Sequence, residues 1–220
     1  MASRTVVIVG VGALGSHVVQ FLRNEDVRLR VIDFDRVEGQ NIPSQFYGKT
    51  NVGKTKVIAL KQQMNFLWGR QIETISHKLI RDNVDVLLGD ADLVIDCLDN
   101  GESRRVVQDF VRGVVDDGGR VVGSPEHGYT TERPVITQAG PRPALLHGAL
   151  AADGSYGQAL WDEDFNIDDE AGAGAATCED DEALPFIVVV AGYLARSAQT
   201  FLANGEKLGW VVSPAGAVRI

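Results

Sequence analysis

The run Thr5-Val6-Val7-Ile8-Val9, followed at once by Gly10-Val11-Gly12-Ala13-Leu14-Gly15, constrains this chain more than any other feature. An unbroken β-branched run predicts a strand buried on both faces, as in a parallel sheet covered by helices. The glycines end it. Ser16 to Arg23 then predicts a helix in which Val18, Val19 and Leu22 share a face. Val27 to Ile32 predicts a second strand that ends at Asp33. Strand, glycine turn, helix, strand and acid together form the pattern of a nucleotide-binding βαβ unit. The three glycines differ in role. Gly10 allows the tight turn, Gly12 lets backbone approach a phosphate, and Gly15 permits close helix–strand packing. The free N–H groups at the helix N-terminus face the anion. Asp33 is placed to accept hydrogen bonds from ribose hydroxyls.

The rhythm continues beyond this unit. An irregular connector over residues 34–52 leads to a helix over 54–68, with Val57, Leu60, Met64 and Leu67 as its expected core contacts. Strands are expected over 71–77, 91–96 and 119–123, and helices over 84–88 and 104–114. Alternating strands and helices imply an α/β fold: a Rossmann-like, mostly parallel sheet with helices on both faces. Residues 124–184 lose this periodicity and read as an irregular acidic crossover loop, with one further strand expected over 133–138. Pro185 opens a helix to about Ala203, and Trp210–Val212 with Ala217–Ile220 form a closing hairpin around Pro214-Ala215-Gly216. The expectation is one domain over 1–220: a core over 1–123, the crossover loop, and a C-terminal helix and hairpin extension over 185–220.

The formal net charge is −9. Ten acidic side chains, with no basic residue among them, fall within residues 162–182, so the remainder is close to neutral. An acidic chain argues against nucleic-acid binding, which needs clustered Lys and Arg. Phe186 to Ala195, the most apolar late stretch, is about half the length that spans a bilayer, so no membrane partner is expected. No apolar leader opens the chain, which makes the cytoplasm the expected location. The two cysteines cannot build a disulfide framework or a four-cysteine zinc site. His17, His77, His127 and His147 lack metal-ligand spacing.

The same glycine fingerprint serves hydride transfer, so an NAD-dependent oxidoreductase is one reading. No catalytic His, Lys and Tyr constellation follows the sheet to support it. Other residues fit transfer of AMP to a carboxylate, which needs a hold on adenosine, cations for the triphosphate and a carboxylate for Mg²⁺. Asp33 suits the ribose. Lys56, at a helix start, can reach phosphates. Asp99 lies just past a strand at the carboxyl edge of the sheet, where ligands bind, and can hold Mg²⁺.

The motifs G-x-G-x-L-G-S (Gly10 to Ser16), D-x-D (Asp33, Asp35), N-x-x-x-Q (Asn41, Gln45), G-x-x-K (Gly53, Lys56) and D-x-x-D-N (Asp96 to Asn100) together resemble the ThiF/MoeB and ubiquitin-activating enzyme superfamily. The resemblance covers roughly residues 5–123 and, more loosely, 177–220. It implies ATP and Mg²⁺ as cofactors and adenylation of the C-terminal glycine of a ubiquitin-like or sulfur-carrier protein by a homodimer. It also implies nucleotide contacts at Gly10, Gly12, Leu14, Gly15, Asp33, Asp35, Asn41, Gln45 and Lys56, and catalytic roles for Lys56 and Asp99. Cys178 stands in a crossover loop like the one that carries the thioester cysteine of some relatives. A helix N-terminus favours its thiolate and the acids Glu179 to Glu182 oppose it, so nucleophile and ordinary loop cysteine both stand. Cys97, at a strand end, reads as a small buried residue. Ser44 occupies the place of the family's usual arginine before the glutamine. Arg36, Lys49, Lys54 and Arg104 are the cations that could compensate. A nucleotide-binding partner without catalysis is the further alternative.

Overall fold

The computed structural model describes residues 3–114, 142–151, 153–167 and 183–220. Cys178, His127, the expected strands over 119–123 and 133–138 and most of the acidic loop lie outside the described residues.

The strands and helices of the N-terminal half stand where the sequence patterns place them, with shifted ends. Strand β1 is Arg4–Val9, helix α1 Ala13–Phe21, β2 Val27–Ile32, α2 Lys56–Trp68, β3 Glu73–Ile75, α3 Val84–Leu88, β4 Leu93–Asp96 and α4 Gly101–Arg112. They are followed by β5 (Ala144–Leu150), β6 (Gly157–Trp161), α5 (Leu184–Asn204), β7 (Trp210–Ser213) and β8 (Gly216–Arg219). All eight strands form one sheet in the order β3-β2-β1-β4-β5-β6-β7-β8. The pairs from β3 through β5 are parallel and those from β5 through β8 antiparallel. The strand order therefore reverses between β1 and β4, which opens the ligand crevice of such sheets at their carboxyl ends.

Strand alternation divides the core. Val6, Ile8, Leu29, Val31, Ile95 and Leu146 face α1, α2 and α5, while Val7, Val9, Val94 and Leu145 face α3 and α4. Val18 and Val19 of α1 and Leu22 at its C-cap are fully buried, as are Val57, Leu60 and Met64 of α2. Leu67 departs from the expectation: it is 47% exposed, beside Phe66 and Trp68 on the outer end of α2.

Strands β5 and β6 correct the sequence reading, which treated residues 124–184 as irregular. Their glycines and alanines have weak strand propensity. Packing explains the glycines: a Cβ on Gly148 would lie 2.5 Å from Leu194 Cδ1, and one on Gly157 2.5 Å from Val190 Cγ2. Helix α5 lies directly on these two strands, and larger residues would lift it off. This helix is 21 residues long and, by length and mean hydropathy alone, could cross a membrane. Its Ile187, Val190, Ala191, Leu194 and Ala198 instead fill the core against α1 and the sheet. The β7–β8 hairpin turns through Pro214 and Ala215 as expected.

Candidate functional site

The glycine turn joins β1 to α1 at the carboxyl edge. Gly10 has φ +81°, a conformation L side chains rarely adopt, and a Cβ there would lie 2.9 Å from the Cys97 carbonyl oxygen. A Cβ on Gly15 would lie 1.9 Å from Gly10 O, so α1 sits on the turn as closely as backbone allows. Gly12 differs: the nearest atom to a Cβ there is Gln45 Nε2 at 4.0 Å, leaving open space above it. Gly12 also caps α1, with no side-chain hydrogen bond to the cap. The uncapped N–H groups and the positive end of the helix thus face an open volume. Leu14 contributes backbone alone, since its side chain is buried in the core.

Asp33 closes this turn from β2. Its Oδ2 accepts the Val11 N–H at 2.8 Å and its Oδ1 the Asp35 N–H at 2.8 Å. Burial pushes its carboxyl pKa up, against the opposing pull of Lys56 and the two N–H donors. Lys56 Nζ lies 3.0 Å from Asp35 Oδ2, and the Lys56 N–H donates to the Asp35 carbonyl at 2.8 Å. The D-x-D motif and the lysine are thereby one unit, assembled from the end of β2 and the start of α2. The ammonium is largely buried, whereas the Asp35 carboxylate is half exposed.

The connector folds back over α1. Ser16 Oγ accepts the Phe46 N–H at 3.0 Å. Burial pushes the His17 pKa down, so the neutral ring donates from Nε2 to the Ser44 carbonyl (3.1 Å) and accepts at Nδ1 from Gln20 (2.9 Å). Asn41 uses its Oδ1 to accept the Glu38 N–H at 2.8 Å and so shapes a 3-10 turn over Gly39–Asn41. Gln45 turns its Nε2 toward Gly12, 4.0 Å from where a Cβ would stand, while its Oε1 is buried without a hydrogen-bond partner among the described residues. A buried acceptor in this condition costs stability until a donor arrives. The uncapped helix and the open glycine, with the Gln45 Nε2 donor nearest to it, fit an anionic ligand such as a nucleotide.

Tyr47 was missed by the sequence reading. Its hydroxyl donates to the Val11 carbonyl at 2.6 Å and holds the glycine turn from the connector side. Burial, then Asp33 and Asp35, raise its pKa and keep it a donor. The only available signal was an aromatic two residues past Gln45.

Asp99 is exposed on the turn after β4, with Asn100 Nδ2 3.3 Å from its Oδ1. Its exposure leaves its oxygens accessible to a divalent cation, which prefers carboxylate oxygen. The turn abuts the glycines: the Cys97 N–H donates to the Val9 carbonyl at 2.8 Å. Cys97 itself is no nucleophile, because burial pushes its thiol far up. Of the cations considered for the missing arginine, Arg104 is buried on Asp96 and on the Leu98 and Gly148 carbonyls. Arg36 donates to the Gly53 carbonyl and Lys54 to Gln62. Ser44 is completely buried. Arg104 is therefore withdrawn as a compensating charge.

A second polar cluster went unnoticed in the sequence. Asp96, His147 and Asp162 meet beside Arg104, Gln108 and Arg112, which recur every four residues along α4.

The ThiF family pattern matches residues 1–124. The sulfur carrier protein adenylyltransferase of Thermus thermophilus is 34% identical over 108 residues, covering 48% of this chain and 40% of that protein. The adenylyltransferase and sulfurtransferase MOCS3 of Anopheles gambiae is 32% identical over 108 residues, covering 48% of this chain and 24% of that protein. The ubiquitin-like modifier-activating enzyme 5 of Caenorhabditis briggsae is 33% identical over 117 residues, covering 47% and 27%. The chain thus spans between a quarter and two fifths of these relatives' lengths. Escherichia coli MccB, solved with ATP, shares the fold with a TM-score of 0.67 and 14% identity, over 99% of this chain and 63% of that one. With more than half of its length matched by the family pattern, and with the glycine turn, D-x-D unit and β4 turn assembled at one edge of the sheet, this chain belongs to the ThiF family.

Proposed function

We propose that this chain binds ATP with Mg²⁺ and transfers AMP to the C-terminal carboxylate of a ubiquitin-like or sulfur-carrier protein. The observation that carries this is the open, uncapped N-terminus of α1, faced by the Gln45 Nε2 and closed from β2 by Asp33, with Lys56 paired to Asp35 beside it. The names of the relatives support the reading, since they are adenylyltransferases and modifier-activating enzymes.

In this proposal Asp33 accepts from the ribose hydroxyls, and the N–H groups of α1 take the phosphates. Lys56 exchanges Asp35 for a phosphate oxygen, a short movement for a flexible ammonium. Asp99 holds Mg²⁺, which would supply neutralising charge on the triphosphate. The attacking carboxylate oxygen forms a bond to the α-phosphorus, the α–β anhydride breaks, and pyrophosphate leaves. Catalysis of this kind is positioning and charge stabilisation. Work as a homodimer, and a thioester at Cys178, are further parts of the proposal that rest on the family resemblance.

The test is exchange of labelled pyrophosphate into ATP with a carrier protein ending in Gly-Gly. Exchange that requires the carrier and Mg²⁺ supports the reading, and tight ATP binding without exchange would replace it with a nucleotide-binding partner. Serine rather than arginine at position 44 and commitment of Arg104 to Asp96 favour that second reading, because both leave fewer cations for the transition state. Preference for NADH over ATP would instead point to the oxidoreductase.

A further inference from the structure

The cluster around His147 has geometry that packing alone does not require. His147 is completely buried, and both ring nitrogens face carboxylates: Nδ1 lies 2.7 Å from Asp96 Oδ2 and Nε2 3.2 Å from Asp162 Oδ1. Each carboxylate also has an arginine, Arg104 Nη1 at 2.9 Å on Asp96 and Arg112 Nε at 2.8 Å on Asp162. The Gln108 amide donates to Asp162 Oδ1 at 2.8 Å. Ionised carboxylates only accept, so two of them on one imidazole require a proton on each nitrogen. Phe165 stacks on the ring at 4.1 Å.

The charged groups that face the ring among the described residues are Asp96 from β4, Arg104 and Arg112 from α4, and Asp162 from the segment after β6. Despite burial, Arg104 and then His147 hold the Asp96 carboxyl below its usual range, and His147, then Arg112 and Gln108, hold that of Asp162. For His147, burial and Arg104 oppose the charge, and the two carboxylates outweigh them, so its pKa is raised.

The cluster reaches the β4 turn. Asp96 Oδ1 accepts the Leu98 N–H at 2.9 Å, and Arg104, which grips the other Asp96 oxygen, donates to the Leu98 carbonyl. Both polar groups of Leu98 are thus held, one residue before Asp99. In parallel register β4 places Asp96 beside His147 of β5.

We propose that His147, as a doubly protonated bridge between Asp96 and Asp162, is a positioning residue that fixes the turn presenting Asp99. The inference rests on the reading of Asp99 as the Mg²⁺-side carboxylate. Loss of the proton leaves one carboxylate facing a ring lone pair in a dry site, which loosens Asp96 and, through it, Leu98. Removing the ring does the same at every pH.

The experiment compares the unmodified protein with His147→Gln and Asp162→Asn, using ¹⁵N NMR and AMP formation per folded molecule. The expected results are a ring protonated at both nitrogens at pH 7.5, Leu98 and Asp99 amides that shift when the ring titrates, and a lower titration point in Asp162→Asn. His147→Gln is expected to lose at least tenfold in kcat, with its ATP Kd, measured without Mg²⁺, changed less than twofold. A purely structural histidine would lower Tm and leave kcat per folded molecule intact. A singly protonated ring at pH 7.5, unmoved Leu98 and Asp99 amides, or unchanged kcat in His147→Gln would each overturn the proposal. Should His147→Gln fail to fold, Asp162→Asn, which keeps its volume at the outer end of the cluster, decides through the ring and amide shifts. If the unmodified protein forms no AMP with any Gly-Gly carrier, the adenylation reading falls alone, and the NMR readouts still judge His147.

Discussion

Two substitutions within one glycine motif should fail in opposite ways. In Gly12→Ala the new methyl meets no protein atom closer than Gln45 Nε2 at 4.0 Å, so the fold should hold. The methyl instead enters the space where a phosphate must approach the first N–H groups of α1. Loss of one charge-assisted hydrogen bond costs about 1.5–3 kcal/mol. At about 1.4 kcal/mol per decade, ATP affinity should fall roughly 10- to 100-fold. In Gly15→Ala the methyl would lie 1.9 Å from Gly10 O. A carbon–oxygen contact relaxes to about 3.3 Å, so α1 must retreat by about 1.4 Å from the turn. Neither group can rotate away, because both are backbone. Overpacking costs about 1–3 kcal/mol, with backbone displacement at the upper end. For a chain of this length, about 3 kcal/mol lowers Tm by roughly 6–12 °C. Titration calorimetry with Mg²⁺ and ATP, together with thermal melts, separates the two effects. Gly12→Ala with undiminished ATP affinity, or Gly15→Ala as stable as the parent, would refute the assignment of phosphate approach to one glycine and packing to the other.

Tyr47→Phe removes the hydroxyl from the Val11 carbonyl and leaves that buried acceptor unpaired, so urea melts should show a loss of about 1–2 kcal/mol. Lys56→Met should change stability by less than about 1 kcal/mol, because its partner Asp35 is half exposed, while ATP affinity falls at least tenfold. Stability should peak near pH 6.5, the ordinary histidine value, with a different residue limiting each side. His17 has a lowered pKa, so below about 6.5 the unfolded chain takes a proton that the folded one refuses, and stability falls as pH drops. His147 has a raised pKa, so its contribution is complete below about 6.5 and is lost as pH rises through its folded value. Urea melts across pH should lose the acid slope in His17→Gln and the alkaline slope in His147→Gln; an unchanged acid slope in the first variant counts against neutral burial of His17.

The βαβ unit was legible because its requirements are local. Val6 to Val9 have no polar face to hide, and Gly10 and Gly15 are demanded by contacts that no side chain could share. The pattern singled out Asp33 for ribose contact, but its staple to the Val11 N–H, two elements back along the chain, became visible only in the structure. Strands β5 and β6 were not, because the partner that makes Gly148 and Gly157 necessary is α5, some forty residues away in sequence and above them in space. Read locally, a glycine in a strand is a breaker; only the helix lying on it shows that it is a seat. Leu67 failed in the opposite sense, since helical spacing names a face without saying where the core ends.

The same logic divides the site. Residues proposed to meet a ligand, Asp33, Lys56 and Asp99, fall at recognisable spacings, because a ligand's shape recurs across proteins and constrains whatever contacts it. Residues that hold those residues in place are constrained only by their neighbours in this molecule. Tyr47 could be replaced by any donor able to reach the Val11 carbonyl, and His147 by any cation that fits between Asp96 and Asp162. Such supports leave no motif, and only coordinates bring them together. They also offer the cleaner experiment, because altering Tyr47 perturbs the glycine turn and altering His147 the turn that carries Asp99, while the side chains proposed to face the ligand stay unchanged.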